Sequence, residues 1–105
     1  MDATMFAMVL TTVEPGKEQG IIETLLDNKL AACIQTLPMN SHYVWQDKIC
    51  HDDEVLLVIK TQRSLYTRVE QAIQQAHAYD VPQIVMLPFV NGFNPYLAWI
   101  EENTK

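Results

Sequence analysis

The chain has 105 residues, of which 49% are hydrophobic, and its formal net charge is -6. This length favours a single domain over residues 1–105, and an acidic chain without a basic cluster excludes a nucleic-acid partner. We expect no membrane partner, because no apolar segment approaches the about 20 residues of a membrane helix. Met1–Thr12 is too short and too poor in positive charge for a secretory signal. Cys33 and Cys50 fit no disulfide framework, so we expect free thiols and a cytoplasmic location.

The first half of the chain predicts a strand, a helix and a second strand. An unbroken apolar run predicts a central strand over Met5–Leu10. Pro15 suits a first helical position, and apolar residues at helical spacing predict an amphipathic helix over Pro15–Leu30. Leu30–Ile34 leads into the second strand, which we expect Pro38 to interrupt because proline cannot donate to a strand ladder.

The segment His42–Thr61 is interpreted as a long β-hairpin. Its predicted turn is Gln46–Lys48, since aspartate tolerates the left-handed conformation that tight turns need. After the turn, Val55–Ile59 is continuously apolar, which indicates a strand that is covered on both faces. A hairpin with about ten residues in each arm extends about 33 Å, farther than a small domain shields. Both features predict that other copies of the chain cover this hairpin.

The second half of the chain predicts a helix, a strand and a short terminal helix. Ser64 is a natural N-cap, and the apolar stripe after it predicts a helix that ends near His77. A strand over Gln83–Phe89 and a short helix over Asn94–Ile100 follow. The order β-α-β-β-α-β plus a terminal helix is that of a ferredoxin-like α+β fold, an antiparallel sheet with both long helices on one face. The bare second face also predicts a homo-oligomer.

Five ordered motifs resemble the CutA family, and together they cover essentially the whole chain. They are Leu30–Cys33, Tyr43–Trp45 with Lys48, Glu54 before Ile59–Thr61, His77–Pro82 and Tyr96–Ile100. The resemblance implies a divalent-cation tolerance protein with a ferredoxin-like fold and a tight homotrimer like that of the PII signalling proteins. It also implies an association with copper and other divalent cations, with no established enzymatic reaction and no required cofactor.

The candidate metal ligands are His77 and Cys33. Some bacterial members associated with copper binding have a cysteine and two histidines where this chain has Thr11, Ala76 and His77, so only His77 is retained. Cys33 follows two alanines and precedes an isoleucine, a context that favours a buried small hydrophobe over a ligand. His77 has a structural alternative as well, because a helix C-terminus stabilises a protonated imidazole. We therefore expect only modest binding of copper or another divalent cation.

A second candidate site is the intersubunit cleft, which the resemblance places around Tyr43, Trp45, Glu54, Lys60 and Tyr79. An aromatic wall with one cation suits a small anionic molecule, whereas the alternative is an interface ion pair between Lys60 and Glu54. The acidic run His51–Glu54 is interpreted as a solvated strand start, since alternation sends its side chains to both faces. No nucleophile motif, phosphate-binding loop or recognisable acid pair predicts an enzyme.

Three functions remain open on the sequence alone. The first is a cytoplasmic homotrimer that binds divalent cations weakly and contributes to metal tolerance. The second is a PII-like signalling module that binds a small anionic effector in the intersubunit cleft. The third is a structural trimer that presents docking surfaces, which the loss of candidate ligands at Thr11 and Ala76 favours.

Overall fold

Four antiparallel strands form one sheet in the computed structural model, which describes all residues from Met1 to Lys105. The strands are β1 (Phe6–Val13), β2 (Cys33–Trp45), β3 (Lys48–Gln62) and β4 (Ile84–Pro88). The helices are α1 (Glu18–Asp27), α2 (Tyr66–Ala76) and α3 (Asn94–Glu102), and short 3-10 turns at Ala3–Met5 and Arg63–Leu65 precede β1 and α2. The spatial order β2-β3-β1-β4, with every neighbouring pair antiparallel, confirms the predicted ferredoxin-like fold.

Helices α1 and α2 pack on the same face of the sheet, as the sequence predicts. Alternate residues of β1 and β3 point toward these helices, and Val9, Leu57 and Ile59 are fully buried there. Leu25 of α1 and Ile73 of α2 complete the same apolar cluster from the helix side. This cluster is the main core of the chain, and it uses one face of the sheet.

The opposite face of the sheet is also apolar, but the two long helices leave it uncovered. Helix α3 covers the end of this face around Phe6 through Leu97 and Ile100. Over the rest of the face the apolar side chains are half-buried or exposed; they are Met8, Leu10, Leu37, Leu56, Val58, Val85 and Leu87. The apolar run Val55–Ile59 therefore has only one fully covered face within a single chain.

Strands β2 and β3 form a hairpin that reaches beyond the rest of the sheet. They pair as far as Trp45 with Lys48, whereas β1 and β3 pair only as far as Val13 with Val55. We call the two-stranded part over residues 39–54 the hairpin arm; it extends about 20 Å at strand rise. A two-stranded ribbon is only marginally stable in water, so the arm needs further packing.

The predicted hairpin is confirmed, but its turn is one residue shorter than predicted, and the predicted break in the second strand is wrong. Lys48, the third residue of the predicted turn, is the first residue of β3 and pairs with Trp45. Gln46 and Asp47 form the turn with left-handed φ values of 50° and 64°. Pro38 does not interrupt β2, because it pairs with Val55 in an edge strand. On an edge strand the missing N–H of proline can point away from the neighbouring strand, so the ladder continues.

Two predicted helix starts are also wrong. Helix α1 begins at Glu18 instead of Pro15, because Gly16 between them has a φ of 92° that no right-handed helix contains. Ser64 is not an N-cap; it lies inside a 3-10 turn, and α2 begins at Tyr66 without a side-chain cap. The predicted end of α2 near His77 is confirmed, since the helix ends at Ala76.

Candidate functional site

An open groove of about 1190 Å³ lies between the hairpin arm and the loop that follows α2. The arm contributes Tyr43, Trp45 and Glu54 to its lining, and the loop contributes Tyr79. The structure therefore brings four of the five predicted cleft residues together within one chain. Tyr43 and Trp45 are 40% and 45% exposed, so the aromatic wall remains open on its outer side.

The fifth predicted cleft residue, Lys60, lies apart from this groove. It is six residues along β3 from Glu54, about 20 Å at strand rise, and it pairs with Cys33 in the β2–β3 ladder. Its ammonium group donates a hydrogen bond to Gln35 Oε1 at 2.6 Å. The structure of the single chain thus contains no ion pair between Lys60 and Glu54, and it does not place Lys60 beside the aromatic wall.

Glu54 is the most buried carboxylate of the groove, with 8% of its surface exposed. The hydroxyl of Tyr79 donates to Glu54 Oε2 at 2.9 Å. Burial, together with this hydrogen bond, raises the pKa of Tyr79 above its ordinary value. Because a carboxylate offers about four acceptor positions, one hydroxyl leaves most of the acceptor capacity of Glu54 free. The solvated interpretation of His51–Glu54 is therefore wrong for Glu54.

A second tyrosine and carboxylate pair crosses the hairpin arm beside the first. The hydroxyl of Tyr43 donates to Asp52 Oδ2, and this hydrogen bond raises the pKa of Tyr43 to about 12. Asp52 and Glu54 project from the same face of β3, because residues two apart on a strand share a face. Two tyrosine hydroxyls therefore orient two neighbouring carboxylates.

The groove as a whole is acidic. Five carboxylates line it, whereas no lysine or arginine does; they belong to Glu14, Asp52, Asp53, Glu54 and Asp80. This charge attracts cations to the groove and repels anions from it. Sequence reasoning named only Glu54 of this set as a site residue. The acidic run before Val55 was the available signal, but its position beside the loop after α2 depends on the tertiary fold.

His77 attaches the loop after α2 to the end of β1. Its Nε2 donates to the carbonyl of Thr12 at 2.7 Å, and its Nδ1 accepts the backbone N–H of Tyr79 at 3.1 Å. Both ring nitrogens are therefore engaged by the backbone. This is a structural role, but it differs from the one that the sequence left open, because an Nδ1 that accepts a hydrogen bond carries no proton. The same bonds hold Tyr79 where its hydroxyl reaches Glu54.

Cys33 and His77, the two predicted metal ligands, are not brought together. Cys33 pairs with Lys60, whereas His77 is bonded to Thr12, which pairs with Leu56. These two positions on β3 are about 13 Å apart at strand rise. The thiol of Cys33 is half-buried and free. The two residues form no joint site within one chain, and metal ligation by either of them stays a prediction.

Comparison with known proteins gives one consistent family. A family model described as CutA1 divalent ion tolerance protein matches residues 7–103. The divalent-cation tolerance protein CutA of Thermus thermophilus is 38% identical over 103 residues, which cover 95% of this chain and 99% of that protein. A solved CutA1 structure from Thermus thermophilus matches with a TM-score of 0.92 at 36% identity, covering 96% of this chain and 100% of that one.

The chloroplastic protein CutA of Arabidopsis thaliana is 34% identical over 105 residues, which cover 97% of this chain but only 58% of that protein. None of the helices combines the length and the hydrophobicity that a membrane-spanning helix needs. Because the Arabidopsis relative is named chloroplastic, the cytoplasmic location stays a prediction. The family model and the Thermus thermophilus relative are named for tolerance to divalent cations, and neither name describes an enzymatic reaction. With residues 7–103 matched by the family model, the chain belongs to the CutA1 family of divalent-cation tolerance proteins.

Proposed function

We propose that this chain is the subunit of a homotrimeric divalent-cation tolerance protein that binds divalent cations, copper among them, weakly. The observation that carries the proposal is the acidic groove, with its five carboxylates and no lysine or arginine. Carboxylate oxygens are the ligands that hard divalent cations prefer. An open groove without a closed set of ligands favours weak and exchangeable binding, which suits tolerance better than storage.

Glu54 and Asp52 are the expected principal ligands in the groove. Each carboxylate receives one tyrosine hydroxyl, from Tyr79 and Tyr43 respectively, and retains further acceptor positions. Glu54 is nearly buried, so water solvates its charge poorly. A cation bound beside the carboxylate compensates for this lost solvation. The copper part of the proposal requires nitrogen or sulfur donors in addition, because carboxylates alone favour magnesium, calcium or manganese.

The proposed assembly is supported by two surfaces that a single chain leaves uncovered. The first is the apolar sheet face around Leu10, Leu56 and Val58, and the second is the hairpin arm with its exposed aromatic wall. Burial of apolar surface contributes about 25 cal/mol per Å². An assembly in which other copies of the chain cover both surfaces is therefore stabilised. Three copies are the number that the family resemblance implies.

The second function, a signalling module for a small anionic effector, fits the groove less well. Its proposed cation, Lys60, lies about 20 Å along β3 from Glu54 and is bonded to Gln35. The charge of the groove itself opposes an anion. An anionic effector at this site therefore needs cations from another subunit.

Calorimetric titration of the purified assembly with Mn²⁺, an ion that prefers oxygen ligands, tests the proposal. We expect Glu54→Gln, which keeps the shape of the side chain and removes its charge, to weaken Mn²⁺ binding at least about tenfold. The matched control is Glu23→Gln, the same change on the exposed side of α1, which should leave the affinity unchanged. Equal affinity in Glu54→Gln and the parent, or no Mn²⁺ binding in the parent, would contradict the proposal.

A further inference from the structure

The hairpin arm carries two histidines on the face that the tyrosine and carboxylate pairs do not use. His42 and His51 are directly opposite each other in the β2–β3 ladder. Their rings stack, with centroids 4.4 Å apart and planes 8° from parallel. Both side chains are exposed. Because they alternate with Tyr43 and Asp52 along the strands, they project from the opposite face of the arm.

Neither of these two rings is held in place by the chain. His77 has both ring nitrogens bonded to the backbone, whereas His42 and His51 make no hydrogen bond within the structure. A neutral imidazole has one nitrogen with a free lone pair. The arm therefore presents two uncommitted nitrogen donors side by side at its surface.

We propose that His42 and His51 form a two-ligand site for a borderline divalent cation such as Cu²⁺, Ni²⁺ or Zn²⁺. Imidazole is a preferred ligand of these ions, whereas Mg²⁺, Ca²⁺ and Mn²⁺ prefer oxygen. A metal–nitrogen bond is about 2.0–2.1 Å long, so two nitrogens that bind one ion lie about 3 Å apart. Stacked rings with centroids at 4.4 Å reach that separation when both exposed side chains tilt toward each other, without a change in strand pairing.

The surroundings of the pair favour a cation. Asp53 lies two residues after His51 and shares its face. Asn40 donates to Asp53 Oδ1 at 2.6 Å, which orients the carboxylate and leaves acceptor capacity on its second oxygen. No Lys or Arg of the arm shares this face, since Lys48 projects with Cys50 and Asp52. No group of three His, Cys, Asp or Glu side chains is placed to hold a metal ion, so the two imidazoles are the protein ligands and water completes the coordination. This predicts modest affinity.

This inference rests on the proposed cation-binding function and deepens it, because it names residues that supply the nitrogen donors copper requires. The groove and the histidine pair differ in their donor atoms. Asp52 and Glu54, the expected groove ligands, project from the other face of the arm, although His42 and Asp53 also line the groove. Mn²⁺ therefore reports on the groove, and Cu²⁺ reports on the pair. Failure of one site leaves the other measurable.

Calorimetric titration of the purified assembly with Cu²⁺ tests the pair. We expect His42→Gln and His51→Gln each to weaken Cu²⁺ binding at least about tenfold, because one remaining imidazole cannot chelate. The double variant should lose more affinity than either single variant but less than the sum of the two single losses in free energy, because the two residues are coupled in one site. Cys50→Ser, a donor change on the opposite face of the same ribbon, is the matched control and should leave the affinity unchanged.

Electron paramagnetic resonance of the Cu²⁺ complex gives an independent readout. We expect nitrogen hyperfine splitting from two imidazoles in the parent and its reduction in each single variant. Parent-like Cu²⁺ affinity in both single variants, an unchanged nitrogen splitting, or no Cu²⁺ binding in the parent would overturn the inference. A parent that binds Cu²⁺ through the pair but does not bind Mn²⁺ would support the inference and contradict the groove as the cation site.

Discussion

Thr11 and Thr61 are two buried threonines whose hydroxyl groups differ in their hydrogen bonding. Both are fully buried on the helix-facing side of the sheet, in adjacent strands. Thr61 Oγ1 donates to the carbonyl of Leu30 at 2.6 Å, whereas Thr11 Oγ1 has no partner. An unsatisfied buried polar group costs about 1–3 kcal/mol, so the two hydroxyls have opposite effects on stability.

We predict that Thr11→Val raises the free energy of unfolding by about 1 kcal/mol, because it removes an unpaired hydroxyl without changing the side-chain volume. The same change at Thr61 should lower it by about 1–3 kcal/mol, because it leaves the carbonyl of Leu30 unpaired. Urea denaturation of both variants measures the difference. If the free energy of unfolding changed in the same direction in both variants, the hydrogen bonding assigned to Thr11 and Thr61 would be contradicted.

The tyrosine hydroxyls of the groove predict a loss of stability in alkali. The hydrogen bond to Asp52 raises the pKa of Tyr43 to about 12 in the folded chain, above the value of about 10 for an unfolded tyrosine. Folding therefore favours the neutral form. The contribution of this group is fully present below about pH 10 and is lost as the pH rises toward about 12. Urea denaturation at about pH 8 and about pH 11 measures this effect. We expect the free energy of unfolding to fall more in the parent than in Tyr43→Phe over this range. An equal fall in both proteins would contradict the prediction.

At the scale of the element, the hairpin turn stores conformational strain that sequence changes can relieve. Gln46 and Asp47 both have left-handed φ values, which non-glycine residues adopt at a cost. Two-residue turns with this geometry prefer Asn-Gly. We predict that Gln46→Asn combined with Asp47→Gly raises the free energy of unfolding by up to about 1 kcal/mol. A lower thermal midpoint would contradict the turn geometry.

The order of the elements could be predicted from the sequence, but their boundaries and the groove could not. Hydrophobic periodicity is a local signal, and it predicts the strands and helices well. Whether Pro38 breaks a strand depends on whether that strand lies at the edge of the sheet, which only the topology decides. The contact of Tyr79 with Glu54 likewise joins residues 25 positions apart. The pairing of His42 with His51 depends on the turn in the same way. Counting back from the predicted three-residue turn Gln46–Lys48 places His51 opposite Tyr43, whereas the observed two-residue turn places it opposite His42.

At the scale of the whole molecule, one chain is an elongated body of 45 × 26 × 22 Å. The hairpin arm extends past the last β1–β3 pair, and the apolar sheet face is only partly covered by α3. Neither surface is suited to water over its full extent. Both are explained when each chain is one subunit of a trimer that covers the apolar sheet face and the aromatic face of the arm.

Trp45 tests whether the arm is covered in the assembly. Within one chain it is 45% exposed, and surface substitutions usually change stability by less than about 0.5 kcal/mol. We predict that Trp45→Ala destabilises the assembly by several times that amount, approaching the about 3–5 kcal/mol of a packed aromatic. Leu26→Ala, at a 40% exposed position on α1, is the control and should have a small effect. Thermal midpoints that fall equally for both variants would contradict coverage of the arm by another copy.

The central claim is that the uncovered sheet face and the aromatic face of the hairpin arm are covered by further copies of this chain. Light scattering of the purified protein at micromolar concentration tests it most directly. The account predicts a mass of about 36 kDa, three times the 12.0 kDa of one chain. A mass of about 12 kDa would contradict the trimer and with it the role assigned to both surfaces.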